Sequence, residues 1–452
     1  MFKSISSSAR TPTLLLLVWL LGCAGAPAGS GGAATPAAAA PGDTAVAATA
    51  ASPAASPALP LDPSVTTGTL SNGLRFYLKR HKPTDQRVHL LLVVKAGSLH
   101  EEEDQRGLAH FVEHMAFNGT SRFSKPELMA FFEKSGIAFG SDMNASTSYD
   151  RTQYQLHVPT DDPKLLVTAL DVLEDWAGSV LFADEAVQQE RSVILSEWLA
   201  RQGVGRRVGK QTLDLLLAGS RYLEREPIGE KALLEQASRQ RLLDFYRRWY
   251  HPERMAIVAV GDIDPAQVEA MVRERFTKLP AGKAEAEPSR EITVASDPIA
   301  AVITDPELQA SSVSFMLKAP GRGARTEAER RTRMLLRLGI QMLNRRFAEI
   351  AQRPDAPFTG AFGNVSNVFD ALELFEVGGR AKQGRIPASL AALLEEVERV
   401  ERHGFTSGEL AREKSDLARA LERRVAEQAT VPVAAIAFGV ANFLVTGEAA
   451  TA

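Results

Sequence analysis

The stretch Gly107-Leu108-Ala109-His110-Phe111-Val112-Glu113-His114-Met115-Ala116-Phe117 governs how the rest of the chain is read. It fits a helix. On a helix His110 and His114 stand at i and i+4, so both imidazoles leave one face and can share a metal ion. Glu113 follows His110 by three residues and lies on the same side. It can take a proton from metal-bound water without being a ligand itself. The pattern is H-x-x-E-H, the inverted form of the H-E-x-x-H zincin motif. The plainer reading is an amphipathic helix with two surface histidines and a glutamate. Against it, the motif uses two of only eight histidines in the chain.

A metal held by two histidines needs a third protein ligand and an open position for water. The helix expected over Asp184–Arg201 carries Glu185, Glu190 and Glu197. Glu190 and Glu197 are seven apart, two turns along one face. Spacing alone does not choose between them, and as ordinary helix glutamates both would simply be solvated.

Moving outward, Thr66 to Leu70 and Leu74 to Arg80 flank Ser71-Asn72-Gly73, and Asn-Gly is a strong hairpin signal. Val88 to Lys95 is apolar enough for a central strand. Ser124-Lys125-Pro126-Glu127 is a capping box that opens a helix to about Lys134. Strands are expected over Phe139–Ser146 and Thr152–Val158, then helices over Pro163–Gly178, Asp184–Arg201 and Arg239–Tyr250. Met255–Val260 reads as a strand and Pro265–Phe276 as a closing helix. Residues 279–290 are polar with Pro and Gly, which marks a domain boundary. Beyond it, strands (Ser311–Leu317, Ala371–Val377) again mix with helices (Glu327–Ala351, Pro387–Glu401, Thr406–Gln428). The expected fold class is α+β in two units, 61–280 and 291–452.

Composition narrows the function. Hydrophobic residues make up 45% of the 452-residue chain and charged residues 24%, enough for packed cores. The net charge of −3 gives no basic field for nucleic acid. A single cysteine, Cys23, excludes a disulfide framework and a multi-thiolate zinc site. Residues 1–22 read as an export signal. Lys3 and Arg10 form the positive part, and the apolar run Thr13–Leu21 is too short to span a bilayer comfortably. It ends Leu20-Leu21-Gly22-Cys23, which resembles a bacterial lipobox and makes Cys23 the candidate lipidation site. An ordinary cleaved signal with an incidental Cys is the alternative. Residues 23–60, rich in Ala, Pro and Gly, read as a disordered tether to the membrane.

Several stretches, in order, resemble the inverzincin metallopeptidases: the M16 family of pitrilysin, insulin-degrading enzyme and the mitochondrial processing peptidases. In particular they resemble the bacterial periplasmic PqqL-like zinc peptidases. They are Gly68-Thr69-Leu70-Ser71-Asn72-Gly73-Leu74, Ala96-Gly97-Ser98, Gly107 through Thr120, Asn144-Ala145-Ser146-Thr147-Ser148, and Glu190-Arg191-Ser192-Val193-Ile194-Leu195-Ser196-Glu197. Weaker similarity continues at Leu343-Asn344-Arg345-Arg346-Phe347. The resemblance implies two M16-type (LuxS/MPP-like) αβ domains, each a mixed sheet packed by helices. It implies Zn2+ on His110 and His114, Glu113 as general base, Glu197 as third ligand and Glu190 as an acid that orients the site. It makes Asn144 and Ala145 part of an edge strand to which a substrate backbone adds as an extra strand.

The resemblance also implies a second M16-type half that clamps the substrate carbonyl. No second H-x-x-E-H is present, and the second domain reads as truncated. A zinc-less partner chain, a second copy in a homodimer, or truncation of a longer product would each account for this. The function expected is a zinc metalloendopeptidase hydrolysing peptides or unfolded segments, lipid-anchored in the cell envelope at the periplasmic face of the outer membrane. The alternative is a membrane-tethered, non-catalytic peptide-binding or assembly subunit. A metal-storage lipoprotein would need several soft or His-rich sites, and the sequence offers one.

Overall fold

An eight-residue run, Arg87-Val88-His89-Leu90-Leu91-Leu92-Val93-Val94, is buried on both faces and forms the spine of the first domain. A strand with no solvent face must be covered twice, and the fold does this with elements from both ends of the chain. The computed structural model describes residues 56–82, 86–283, 285–294, 297–321 and 323–448. The residues read as an export signal, Cys23 and most of the expected tether lie outside the described residues.

In chain order the first domain runs β1 (Thr66–Thr69), β2 (Arg75–Arg80), β3 (Arg87–Val94), α1 (Leu108–Met115), α2 (Lys125–Lys134), β4 (Met143–Thr147) and β5 (Thr152–Pro159). It continues with α3 (Pro163–Gly178), α4 (Asp184–Ala200), α5 (Val204–Leu216), α6 (Arg221–Glu224), α7 (Lys231–Gln236), α8 (Arg239–Trp249), β6 (Met255–Gly261) and α9 (Pro265–Phe276). The second part holds β7 (Ser312–Pro320), α10 (Glu327–Ala351), β8 (Phe358–Val368), β9 (Leu372–Ala381), α11 (Ile386–His403), α12 (Ser407–Ala426) and α13 (Val433–Thr446).

The first sheet has the order β1-β2-β6-β3-β5-β4. Its β2–β6 pair is parallel and the other pairs are antiparallel. Strand β4 is therefore an edge, bonded only to β5. The second sheet, β7-β9-β8, is antiparallel. Period-2 alternation splits β3 between two cores. Leu90, Leu92 and Val94 pack with Phe111 and Val112 of α1 and Trp176 of α3. Leu91 and Val93 face the other way, with Ala256, Val258 and Val260, onto Val433, Ala437, Val440 and Leu444 of α13. A third core, under the second sheet, gathers Leu343, Phe347, Phe358, Val377 and Leu393.

The structure departs from the sequence reading at four places. The strand expected from Phe139 begins at Met143, because a turn at 138–142 precedes it with Gly140 at φ +90°. Residues 204–236, left unassigned, form three short helices. Residues 358–368 form a strand that the sequence hides behind small and polar residues. The helix Val433–Thr446 falls in the range read as the second unit, yet it packs on the first domain's sheet. Among the described residues no helix is long and apolar enough to cross a membrane.

Candidate metal centre

Helix α1 is only eight residues long, so its ends matter. Gly107 enters it at φ +102°, a conformation that favours glycine, and offers no capping side chain. Glu101 caps the helix instead, from the preceding loop. Its Oε2 accepts the Gly107 N–H at 3.1 Å and its Oε1 the Ala109 N–H at 2.8 Å. Glu101 is fully buried, and that burial pushes its carboxyl up to about 8 against the pull of the two amide donors. Arg221 and Arg225 donate to the Glu101 carbonyl at 2.6 and 3.2 Å. At the other end, the Trp176 indole N–H donates to the Ala116 carbonyl at 2.9 Å.

The helix so fixed aims His110 and His114 at α4. Their Nε2 atoms lie 3.2 Å apart. One Glu197 oxygen lies 3.6 Å from His110 Nε2 and 3.5 Å from His114 Nε2. Among the described residues, this trio is the one group of three or more His, Cys, Asp and Glu side chains whose ligand atoms converge closely enough to hold a metal ion. Two imidazoles and a carboxylate are a donor set suited to zinc. Burial, and then the neighbouring His114, push His110 down to about 4, so the ring is neutral, as a metal ligand must be.

Glu190 occupies a different place. Its Oε1 accepts from His114 Nδ1 at 2.8 Å, on the far side of the ring from the trio. That bond puts the ring proton on Nδ1 and leaves the Nε2 lone pair facing Glu197. Asn118 donates to Glu190 Oε2 at 2.8 Å and to the His114 carbonyl at 3.0 Å, and Lys125 donates to Asn118 Oδ1 at 2.8 Å. Arg201 pairs with the other oxygen of Glu197. Glu185, the remaining acid considered on α4, is exposed and belongs to neither group.

Glu113 is buried, and burial pushes its carboxyl up to about 7, with a hydrogen bond from Thr147 pulling the other way. Thr147 ends β4, the edge strand that also carries Asn144 and Ala145. The Asn144 side-chain oxygen accepts the Ala145 N–H at 2.9 Å. The strand edge therefore runs straight to the candidate base.

Three residues here were given no role from sequence. Asn118 and Thr147 stand within the stretches that carry the family resemblance, and only the fold shows what they touch. Glu101 had no sequence signal, because it caps its helix across a six-residue loop and not at the N-cap position.

Residues 77–204 match the family model for insulinase (peptidase family M16), and residues 236–417 match that for the peptidase M16 inactive domain. The chain is 34% identical over 375 residues to "Probable zinc protease PqqL" of Escherichia coli (strain K12), covering 82% of this chain and 40% of that protein. It is 38% identical over 220 residues to the Haemophilus influenzae protein of the same name, covering 49% of this chain and 24% of that one. The chain thus spans well under half the length of these curated relatives. The crystal structure of the first half of the periplasmic protease PqqL from Escherichia coli superposes with a TM-score of 0.83 at 30% identity, covering 88% of this chain and 85% of that one.

Proposed function

Because the chain belongs to the insulinase (M16) family of peptidases, we propose that it is the zinc-bearing half of a metalloendopeptidase that cuts peptides or unfolded segments. The observation that carries this reading is the convergence of His110, His114 and Glu197 beside a buried, separately held Glu113. These three residues would hold zinc, which when bound would supply a Lewis acid for the scissile carbonyl and lower the pKa of water. His110 and His114 present their Nε2 lone pairs. Glu190 fixes the tautomer of His114, and Asn118 and Lys125 hold Glu190 in turn.

Glu113 takes the proton of the attacking water at its carboxylate and hands it to the departing nitrogen. The free edge of β4 at Asn144 and Ala145 binds the substrate backbone by strand addition, which reads main chain and tolerates many side chains. The second domain is the non-catalytic one. Enclosure of the substrate falls to a second M16-type half. The periplasmic setting of the Escherichia coli relative supports an envelope location, and we read the leader and Cys23 as a lipid anchor.

The test is zinc-dependent cleavage of a quenched peptide by the purified chain, alone and with a homologous partner. Chelation should abolish it and zinc restore it. Glu113→Gln should retain zinc while losing roughly a hundredfold or more in turnover. Parent-level turnover in that variant would show that Glu113 is not the base. The second reading is a non-catalytic peptide-binding subunit. It predicts peptide binding with no cleavage under any of these conditions.

A further inference from the structure

One turn of the second domain breaks the usual rule for its conformation. The β8–β9 hairpin closes with the Ala371 N–H donating to the Val368 carbonyl at 3.1 Å. Both central residues, Phe369 and Asp370, have φ +57°. Turns of this kind prefer Asn-Gly, because a Cβ is disfavoured there and a bulky side chain most of all. Such a conformation persists where surroundings over-determine it, and it gathers at functional sites.

The surroundings here belong to the first domain. The Phe369 ring stacks on Tyr222 with centroids 4.7 Å apart and planes 8° apart, and lies 4.4 Å from the Tyr149 ring. Asp370 fixes the turn on its own side. It accepts from Arg325 at 2.6 Å and from Asn367 at 3.0 Å, and Arg325 also donates to the carbonyl of Thr446, the last residue of α13. Tyr149 is in the β4–β5 turn, between Thr147 and the start of β5. That turn is held from behind as well. Ser98 and Leu99 donate their N–H groups to the Ser148 and Tyr149 carbonyls at 3.1 and 2.8 Å.

We propose that Phe369 is a positioning residue: through Tyr149 it wedges the second domain against the β4–β5 hairpin and so holds the edge strand in register with Glu113. The proposal rests on the peptidase reading for its kinetic consequence, though not for its mechanical one. The hairpin has one sheet neighbour for β4 and none beyond it. Its tip is therefore where an external brace has most effect. The neighbours of the Phe369 ring lie in the β4–β5 turn, α5, α6 and the loop at Leu99, and none of them is a metal ligand, so zinc content should not sense its loss.

The test uses the full chain, with its second half where activity needs one. Three variants are compared: Phe369→Ala, Phe369→Tyr and Phe369→Asn. Asparagine tolerates the left-handed turn, so Phe369→Asn removes the ring while relieving the backbone. Amide exchange at 143–150, zinc content, KM and kcat are read for each. Phe369→Ala and Phe369→Asn should exchange at 143–150 about tenfold faster, the size of one lost aromatic contact. KM should rise by a similar factor with zinc content unchanged. Phe369→Tyr should behave as the parent. Tyr149→Ala should match Phe369→Ala, and the double variant should add nothing. Unchanged exchange and KM in Phe369→Asn would overturn the proposal, as would faster exchange spread evenly over the chain. If the parent cleaves nothing, the peptidase reading fails while the exchange data still decide the wedge.

Discussion

The Thr147 hydroxyl donates a 2.6 Å hydrogen bond to the Glu113 carboxylate, so the last residue of the edge strand and the candidate base are one unit. On the proposed reading, a substrate added to that strand is brought to Glu113 by the same piece of backbone that orients it. Hydrogen bonds to a charged group contribute about 1.5–3 kcal/mol. Thr147→Val keeps the shape of the side chain and loses the donor. Turnover should fall by roughly ten- to a hundredfold, chiefly in kcat, at unchanged zinc content. A variant as fast as the parent would mean that the bond does not orient the base.

Glu190 and Glu197 should separate on metal analysis. Glu197 faces both Nε2 atoms, while Glu190 holds the opposite nitrogen of His114. Orienting partners of this kind are worth about 10–100-fold in metal affinity. Glu190→Gln should lose that much and Glu197→Gln clearly more. The reverse order would make Glu190 the ligand.

His89 sets an acid limit on the fold. Its ring lies between His157 at 5.7 Å and Phe438 of α13 at 5.4 Å, and neither ring nitrogen has a hydrogen-bond partner. Burial, and then the charge of His157, push His89 from 6.5 down to about 4. The unfolded chain therefore binds the proton more tightly than the folded one. The stability contributed by neutral His89 is fully present above about pH 6.5 and is lost as pH falls toward 4, a change on the order of 3 kcal/mol. Denaturant midpoints between about pH 7 and pH 4 should track this. His89→Leu should flatten the slope, and a slope the substitution leaves untouched would point to other groups.

Cys23→Ser should abolish lipid labelling, since no other cysteine exists to be acylated. The variant should accumulate as precursor or in a soluble fraction. Parent protein that incorporates no labelled fatty acid would rule out the lipid anchor.

Much of this was legible where a local rule acts alone. The capping boxes at Ser124 and Thr406 start their helices as read, and Asn72-Gly73 turns the first hairpin. The H-x-x-E-H spacing requires only a helix to bring two imidazoles together. What stayed hidden depends on contacts distant in sequence. Glu190 and Glu197 are equivalent by spacing; the resemblance told them apart, and the position of α4 across α1 supplies the physical reason. Residues 358–368 carry two glycines and little alternation, so no period marks them as a strand. Helix α13 is apolar all round, which gives no stripe to say which sheet it covers.

The helix from Val433 to Thr446 has a consequence for synthesis. Leu91, Val93 and Val258 emerge from the ribosome early, yet the surface that shields them is made more than 170 residues after Val258. Until then the first domain carries a bare apolar sheet face, the kind of surface that invites aggregation. The two domains therefore mature together. The nascent chain has strong reason to lean on a holdase, and trimming the gene just before Val433 should yield inclusion bodies rather than a smaller folded protein.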